Sequence, residues 1–286
     1  MPVIGIDVGG TTVKLGVVEN GRDIIHRDTR PSPHEPVAMA QLLYEMIAAA
    51  RSLFPNARVA VSAAGHIDKE GNIDANQLGF WHAPVGPLLF EKLGERIPIE
   101  NDGIAALMAE YRAGALQGYD SCIMVTLGTG IGGGVILHGQ PLRGYRDGES
   151  TNAEIGHMIT HADGVRCSCG QTGCWEAYAS ATALSQMAGG MPPREVVDRV
   201  KAGEMQALWA RYIREVSQGI RGLLSIFFPQ AVALGGGLSQ AGDILVGRVV
   251  KELEKDPSFR VRHADLKIVP AHFLNDAGIL GAAALL

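Results

Sequence analysis

The chain has 286 residues, 47% hydrophobic and 19% charged, with a formal net charge of −5 at pH 7. That length suits two domains or one large α/β unit. The acidic balance without any basic block offers no nucleic-acid footprint, and no apolar stretch approaches the roughly 20 residues of a membrane span. The opening Met1-Pro2-Val3-Ile4-Gly5-Ile6-Asp7 lacks the basic n-region of a signal peptide. The expectation is a cytoplasmic enzyme with no nucleic-acid or membrane partner.

Val3 to Val8 reads as a buried strand, and Val13 to Val18 as its hairpin partner across Gly9-Gly10-Thr11-Thr12. A glycine turn presents bare backbone N–H groups to an anion. Asp7 beside it could hold Mg²⁺ through water, and Thr11 and Thr12 could donate hydroxyls to phosphate oxygens. Taken alone, the turn reads as an ordinary β-hairpin turn. Pro36 to Phe54 has helical periodicity, with Leu42, Leu43, Met46 and Ile47 on one face. Arg58 to Ala63 reads as a strand, Pro87 to Leu93 as a short helix and Ile97 to Ile99 as a short strand. Asn101-Asp102 then caps a helix running from Gly103 to about Ala113. Asn-Asp-Gly is commonly no more than a cap. At the carboxyl end of a strand, where ligand clefts form in α/β chains, Asp102 can also accept a proton from a substrate hydroxyl.

Cys122 to Leu127 and Gly134 to Leu137 read as strands around the run Gly128 to Gly134. Gly128, Gly130 and Gly133 match G-x-G-x-x-G, but β-branched residues follow where a dinucleotide site needs a helix. A hairpin is expected, and no Walker A sequence occurs. His157 is followed by Cys167, Cys169 and Cys174 on a short loop bearing glycines. One imidazole and three thiolates form the ligand set of a closed, structural zinc site. Cysteines one residue apart are badly placed for a disulfide. The metal would fix the neighbouring carboxylates Glu154 and Glu176, whereas Cys122 reads as an inert core residue. Glu176 opens a helix, Met205 to Phe228 is a long helix, Ala231 to Leu234 a strand, and Gly278 to Leu286 a closing helix. Gly235-Gly236-Gly237 could let a flat ring approach the backbone, or simply permit the turn. Twice a hairpin opens with a glycine turn and helices follow. Two related halves are therefore expected, with a cleft able to close on a nucleotide and a second substrate. The boundary is placed near Asn101-Asp102: residues 1–102 with 274–286 form the smaller domain, and 103–273 the larger one carrying the zinc site.

Together these motifs resemble the ROK family of sugar kinases and sugar-responsive repressors. The resemblance rests on Asp7-Val8-Gly9-Gly10-Thr11-Thr12, Asn101-Asp102, the glycine run from Leu127 to Gly134, Glu154-Ile155-Gly156-His157, Cys167 through Glu176, Gly235-Gly236-Gly237 and Asn275-Asp276-Ala277-Gly278. It covers essentially the whole chain. It implies the two-domain actin/hexokinase-like (ribonuclease H-like) ATPase fold with an interdomain cleft. It also implies ATP-dependent phosphorylation of a hexose, usually at the 6-hydroxyl, with glucose or an N-acetylhexosamine such as N-acetylmannosamine as substrate. By position, Asp102 is the general base, and Gly65, Asn76, Asn101, Asp102, Glu154, His157 and Glu176 lie at the sugar. His157 would place its second ring nitrogen on zinc. Asp7, Gly9, Gly10, Thr11, Thr12, Gly128, Thr129 and Gly130 would surround the phosphates and Mg²⁺, and Gly235, Gly236 and Gly237 the adenosine. A homodimer is implied as well. Two departures, Ala64 where many members have proline and Ser150-Thr151-Asn152-Ala153 before Glu154, bear on which sugar is taken. Family repressors carry an added N-terminal helix-turn-helix, for which a first glycine turn at Gly9 leaves no room. A sugar-sensing regulator without its DNA-binding module is thus the alternative. A nicotinamide-dependent oxidoreductase rests on the G-x-G-x-x-G match alone.

Overall fold

The computed structural model describes residues 1–146 and 149–286, and the side chains of 146–152 fall outside that description. Ser150, Thr151 and Asn152, singled out above, are among the latter. The chain forms two compact units, one of Met1–Gln117, Leu142–Ala153 and Asn275–Leu286, the other of Gly118–Pro141 and Glu154–Leu274. The elements begin with β1 (Val3–Val8), β2 (Thr12–Glu19), β3 (Asp23–Pro31), α1 (Pro36–Leu53) and β4 (Arg58–Ala63). Then come the short strands β5 (His66–Ile67), β6 (Ile73–Ala75) and β7 (Phe80–Ala83), followed by α2 (Val85–Leu93), β8 (Ile99–Asn101) and α3 (Asp102–Ala113). The next strands are β9 (Cys122–Leu127), β10 (Ile131–Leu137), β11 (Gln140–Pro141), β12 (Arg143–Arg146) and β13 (Glu149–Asn152). The chain closes with α4 (Glu176–Ala179), α5 (Ala181–Met187), α6 (Pro193–Lys201), α7 (Gln206–Phe227), β14 (Ala231–Gly235), α8 (Asp243–Leu253), α9 (Pro257–Arg262), β15 (Lys267–Pro270) and α10 (Ala277–Ala283).

The first unit's sheet has the order β3-β2-β1-β4-β8 and the second unit's the order β11-β10-β9-β14-β15. In each, three antiparallel strands form a meander and two further strands run parallel to its first strand. The two halves expected from the paired glycine turns are thus visible as one sheet plan used twice. Ile4, Ile6 and Val8 on β1 and Val13, Leu15 and Val17 on β2 are almost wholly buried. These alternate positions line one face of the sheet and share a core with Met39, Leu43, Met46 and Ile47 of α1. In the second unit α7 buries Trp209, Tyr212, Ile213, Val216, Ile220, Leu223 and Leu224, an apolar stripe of helical period.

Several boundaries differ from the sequence reading. α2 starts at Val85 rather than Pro87, and β8 occupies Ile99–Asn101 rather than Ile97 to Ile99. β10 starts at Ile131 and carries Gly132, Gly133 and Gly134 within the ladder, opposite Thr126, Val125 and Met124. Ladder hydrogen bonds come from the backbone, so a glycine run extends a strand when its neighbour fixes the register. The G-x-G-x-x-G stretch therefore leads into an antiparallel strand, and no helix begins there to receive a dinucleotide. Among the described residues no helix is long and apolar enough to cross a membrane.

Candidate functional site

In the first unit the candidate residues gather at the ends of β1, β4 and β8. The β1–β2 turn is closed by the Gly9 N–H donating to the Thr12 carbonyl at 3.0 Å. The Ser32 hydroxyl braces it by donating to the Gly9 carbonyl at 2.6 Å. Hairpin register places Lys14 opposite Asp7, with Nζ 3.9 Å from Oδ2, and the Ser62 hydroxyl is 3.5 Å from Oδ1. Burial pushes the Asp7 carboxyl above the usual carboxylate range, against the opposing pull of Lys14 and Ser62. A desolvated carboxylate of this kind gains from an added cation. Lys14 and Ser62 were not singled out by the sequence reading. The Lys14 pairing was implicit in the hairpin register, whereas Ser62 is 55 positions from Asp7 and left no local signal.

Asn101 caps α3: its Oδ1 accepts from the Gly103 N–H at 2.9 Å and the Ile104 N–H at 3.2 Å. Its Nδ2 donates to the Gly65 carbonyl at 2.8 Å. Asp102 is the first residue of that helix, exposed, with Oδ1 accepting the Gly103 N–H at 2.9 Å. Gly65, Asn101 and Asp102 are therefore one connected group. Glu100 precedes them, accepts the Asn101 N–H at 2.8 Å and is ion-paired with Arg143 of β12. Asn76 is exposed at the start of a short 3₁₀ turn, whose Gln77 lies beside Gly10.

In the second unit the turn Gly128-Thr129-Gly130 is held from several sides. The Gly128 N–H donates to the Gly130 carbonyl at 3.0 Å, and the Ala181 N–H donates to the Gly128 carbonyl at 2.8 Å. The Thr182 hydroxyl donates to the Thr129 carbonyl at 2.6 Å. The Glu176 Oε2 accepts the Ile131 N–H at 2.9 Å. Glu154 leads into a 3₁₀ turn over Ile155–His157, and Gly156 packs on the Ile131 carbonyl so closely that a Cβ there would overlap it. Gly236 has φ +78° and abuts the Leu127 backbone at the end of β9, whereas a Cβ on Gly237 would point into open space. The sequence-predicted residues of this unit, Gly128 to Gly130, Glu154, His157, Glu176 and Gly235 to Gly237, thus border the end of β9 and the start of β10.

His157, Cys167, Cys169 and Cys174 bring one donor atom each within 4.8 Å of one another. The loop doubles back through the Cys167 N–H donating to the Gln171 carbonyl at 2.8 Å and the Gly170 N–H donating to the Cys167 carbonyl at 3.0 Å. The Cys169 and Cys174 sulfurs are 3.6 Å apart, and the Cys167 sulfur is 3.8 Å from His157 Nδ1. A tetrahedral zinc with bonds of about 2.3 Å to sulfur has edges of about 3.8 Å. The cluster fits that ion and not a disulfide, whose sulfurs are about 2.05 Å apart; all four cysteines are free. Burial and the two neighbouring sulfurs push the Cys174 thiol up to about 12, a cost that a central cation relieves. Burial also raises the Cys122 thiol, to about 12, which keeps it inert in the core.

Repeated sheets of this topology define an α/β protein of the actin/hexokinase-like ATPase fold. A sequence profile of the ROK family matches residues 3–286. The chain is 33% identical to a glucokinase of Thermotoga maritima, with 100% of this chain and 97% of that protein aligned. It is 32% identical to an N-acetylmannosamine kinase of Escherichia coli, with 100% and 98% aligned. The crystal structure of a ROK family glucokinase from Streptomyces griseus, in complex with glucose and AMPPNP, matches with a TM-score of 0.81 and 29% identity over 100% of this chain and 99% of that one. The chain belongs to the ROK family.

Proposed function

We propose that this sugar kinase transfers the γ-phosphoryl group of ATP to the 6-hydroxyl of a hexose, with glucose or an N-acetylhexosamine such as N-acetylmannosamine as acceptor. The observation that carries the reading is the Gly65–Asn101–Asp102 group, which fixes an exposed carboxylate at the start of α3, in a chain matched along its whole length by kinases of those two sugars. In the proposed step the hexose hydroxyl oxygen bonds to the γ-phosphorus. The bond from that phosphorus to the β–γ bridging oxygen breaks, ADP leaves, and the hydroxyl proton passes to the Asp102 carboxylate. General-base assistance of this kind contributes about 10²–10⁴-fold in rate. Gly65, Asn76, Asn101, Asp102, Glu154, His157 and Glu176 are the residues assigned to the sugar.

The turns Gly9 to Thr12 and Gly128 to Gly130 are assigned to the phosphates; the Gly9 and Gly128 N–H groups close the turns, and the N–H groups of Gly10, Thr11, Thr129 and Gly130 would receive the anion. Asp7 would hold Mg²⁺, which when bound supplies charge neutralisation on the phosphates. His157, Cys167, Cys169 and Cys174 would hold a structural zinc, with Nδ1 of His157 toward the metal and its other ring nitrogen left for a sugar hydroxyl. A homodimer and a cytoplasmic location belong to the same reading. The test is a panel of hexoses with ATP and Mg²⁺, scored by ADP release and by phosphorus NMR of the product. The expected result is a 6-phosphate formed one-for-one with ADP from glucose or N-acetylmannosamine. ADP release that no hexose stimulates would overturn it.

A further inference from the structure

Glu176 is placed at the sugar by family resemblance, yet both its oxygens are engaged by the protein. Oε2 accepts the Ile131 N–H at 2.9 Å. Oε1 accepts the Ser168 hydroxyl at 3.2 Å and lies 3.7 Å from the Cys167 sulfur. The carboxylate fills the space that a Cβ on Gly130 would need. Its backbone is anchored independently. Trp175 is fully buried, its ring packs on Gly219, its indole N–H donates to the Glu215 carbonyl at 2.9 Å, and its backbone N–H donates to the Met158 carbonyl at 2.9 Å.

We infer that Glu176 is a positioning residue, tying the Cys167–Ser168 end of the cysteine loop to the Gly130–Ile131 end of the glycine turn. Two of the turn's three residues lack side chains, so packing does little to fix where its N–H groups point, and the Ala181 N–H and Thr182 hydroxyl hold its carbonyls. A carboxylate accepting one of the adjoining N–H groups supplies that restraint, and hydrogen bonds to an ionised acceptor are about twice as strong as neutral ones. Ser168 lies between two cysteines of the donor cluster, so whatever fixes those sulfurs fixes the hydroxyl that holds Oε1. Order in the cysteine loop thus reaches the nucleotide-side turn through one side chain. The link to nucleotide rests on the proposal that this turn receives phosphate; the tether itself does not.

The experiment compares hydrogen exchange in a peptide spanning residues 128–133, and ADP affinity without sugar, for the zinc-loaded parent, the parent after chelation, and the Glu176→Ala, Glu176→Gln and Ser168→Ala variants. Glu176→Ala and chelation are expected to speed exchange in that peptide and weaken ADP binding by about tenfold each, the factor given by losing one charge-assisted hydrogen bond. Glu176→Gln is expected to recover most of the loss, because its amide oxygen can still accept the Ile131 N–H. Ser168→Ala keeps all four metal donors, so it is expected to retain zinc yet show part of the effect, which covers the case in which Glu176→Ala fails to fold. Unchanged exchange and ADP affinity in folded, zinc-retaining Glu176→Ala overturns the inference and leaves Glu176 a sugar ligand only. A parent that binds no ADP overturns the kinase reading instead, and the exchange data still decide the tether.

Discussion

A Cβ built on Gly128 meets no heavy atom nearer than 4.0 Å, whereas one built on Gly130 overlaps the Glu176 carboxylate. The two glycines of one turn therefore answer to different neighbours. Gly128→Val is expected to leave the melting temperature near that of the parent while blocking phosphate, so ADP affinity falls alone. Gly130→Val must also displace Glu176 from Ile131, and overpacking of that kind costs about 1–3 kcal/mol, so stability falls with affinity. Calorimetry and thermal melts on both variants separate the cases; equal melting temperatures would contradict the account. Asn101 supports a prediction of the same scale. Its side chain caps α3 and holds the Gly65 carbonyl, so Asn101→Ala is expected to cost about 1 kcal/mol of stability. It is also expected to raise the sugar KM more than it lowers kcat, which steady-state kinetics would read.

α10 shows what an element contributes beyond its own sequence. It packs on α3 and β1 within the first unit, and the carboxylate of Asp7 occupies the place a side chain on Gly278 would take. Just ahead of it, Arg27 of β3 makes a two-point ion pair with Asp276, at 2.7 and 2.8 Å. That hydrogen-bonded pairing holds the Asp276 carboxyl below its ordinary 3.8. A lowered acid stabilises the fold above its unfolded pKa and loses that contribution as pH falls through the folded value. Both side chains are more than a third exposed, so the pair is worth about 0.5 kcal/mol. Arg27→Ala is expected to be less stable than the parent by that amount at pH 7, with the gap closing below about pH 3.8; urea midpoints across pH 3–7 would check it. A gap independent of pH would refute it.

The elements legible in the sequence were those with apolar runs, helical periodicity or strong caps: β1, β2, β4, β9, β14, α1, the Asn101-capped α3 and the long α7, with α2, β8, β10 and α10 found at shifted bounds. β3 was not read, because its residues Asp23 to Pro31 alternate exposed and half-buried positions at a sheet edge and offer no apolar run. β5, β6, β7 and β15 are two to four residues long, too short for a period to show. The cysteine–histidine cluster stood out because its donors lie within 18 positions of sequence and meet through one local loop. The partners of Glu176 at Ile131 and of Asp7 at Ser62 come from tertiary packing, which local spacing does not encode.

At the scale of the whole molecule, one sheet plan is used twice, and each copy presents a glycine turn after its first strand. Among the described residues, the donor cluster belongs to the second copy. Purified protein is expected to carry about one zinc per chain, and Cys169→Ser or chelation to lower its melting temperature by about 5 °C or more, since each kcal/mol lost is about 2–4 °C at this size. Metal analysis with thermal melts reads both, and a zinc-free protein of unchanged melting temperature would contradict the donor assignment. The central claim is that the carboxylate of Asp102 takes the proton of the attacking hydroxyl. Asp102→Asn keeps size and hydrogen-bonding capacity but removes the base. The deciding measurement is kcat together with sugar affinity for that variant, using the hexose the parent phosphorylates best. A fall in kcat of about 10²–10⁴-fold is expected, with sugar affinity within a few fold of the parent. A near-normal kcat would make Asp102 a helix-start residue only and move the search for the base to Glu154.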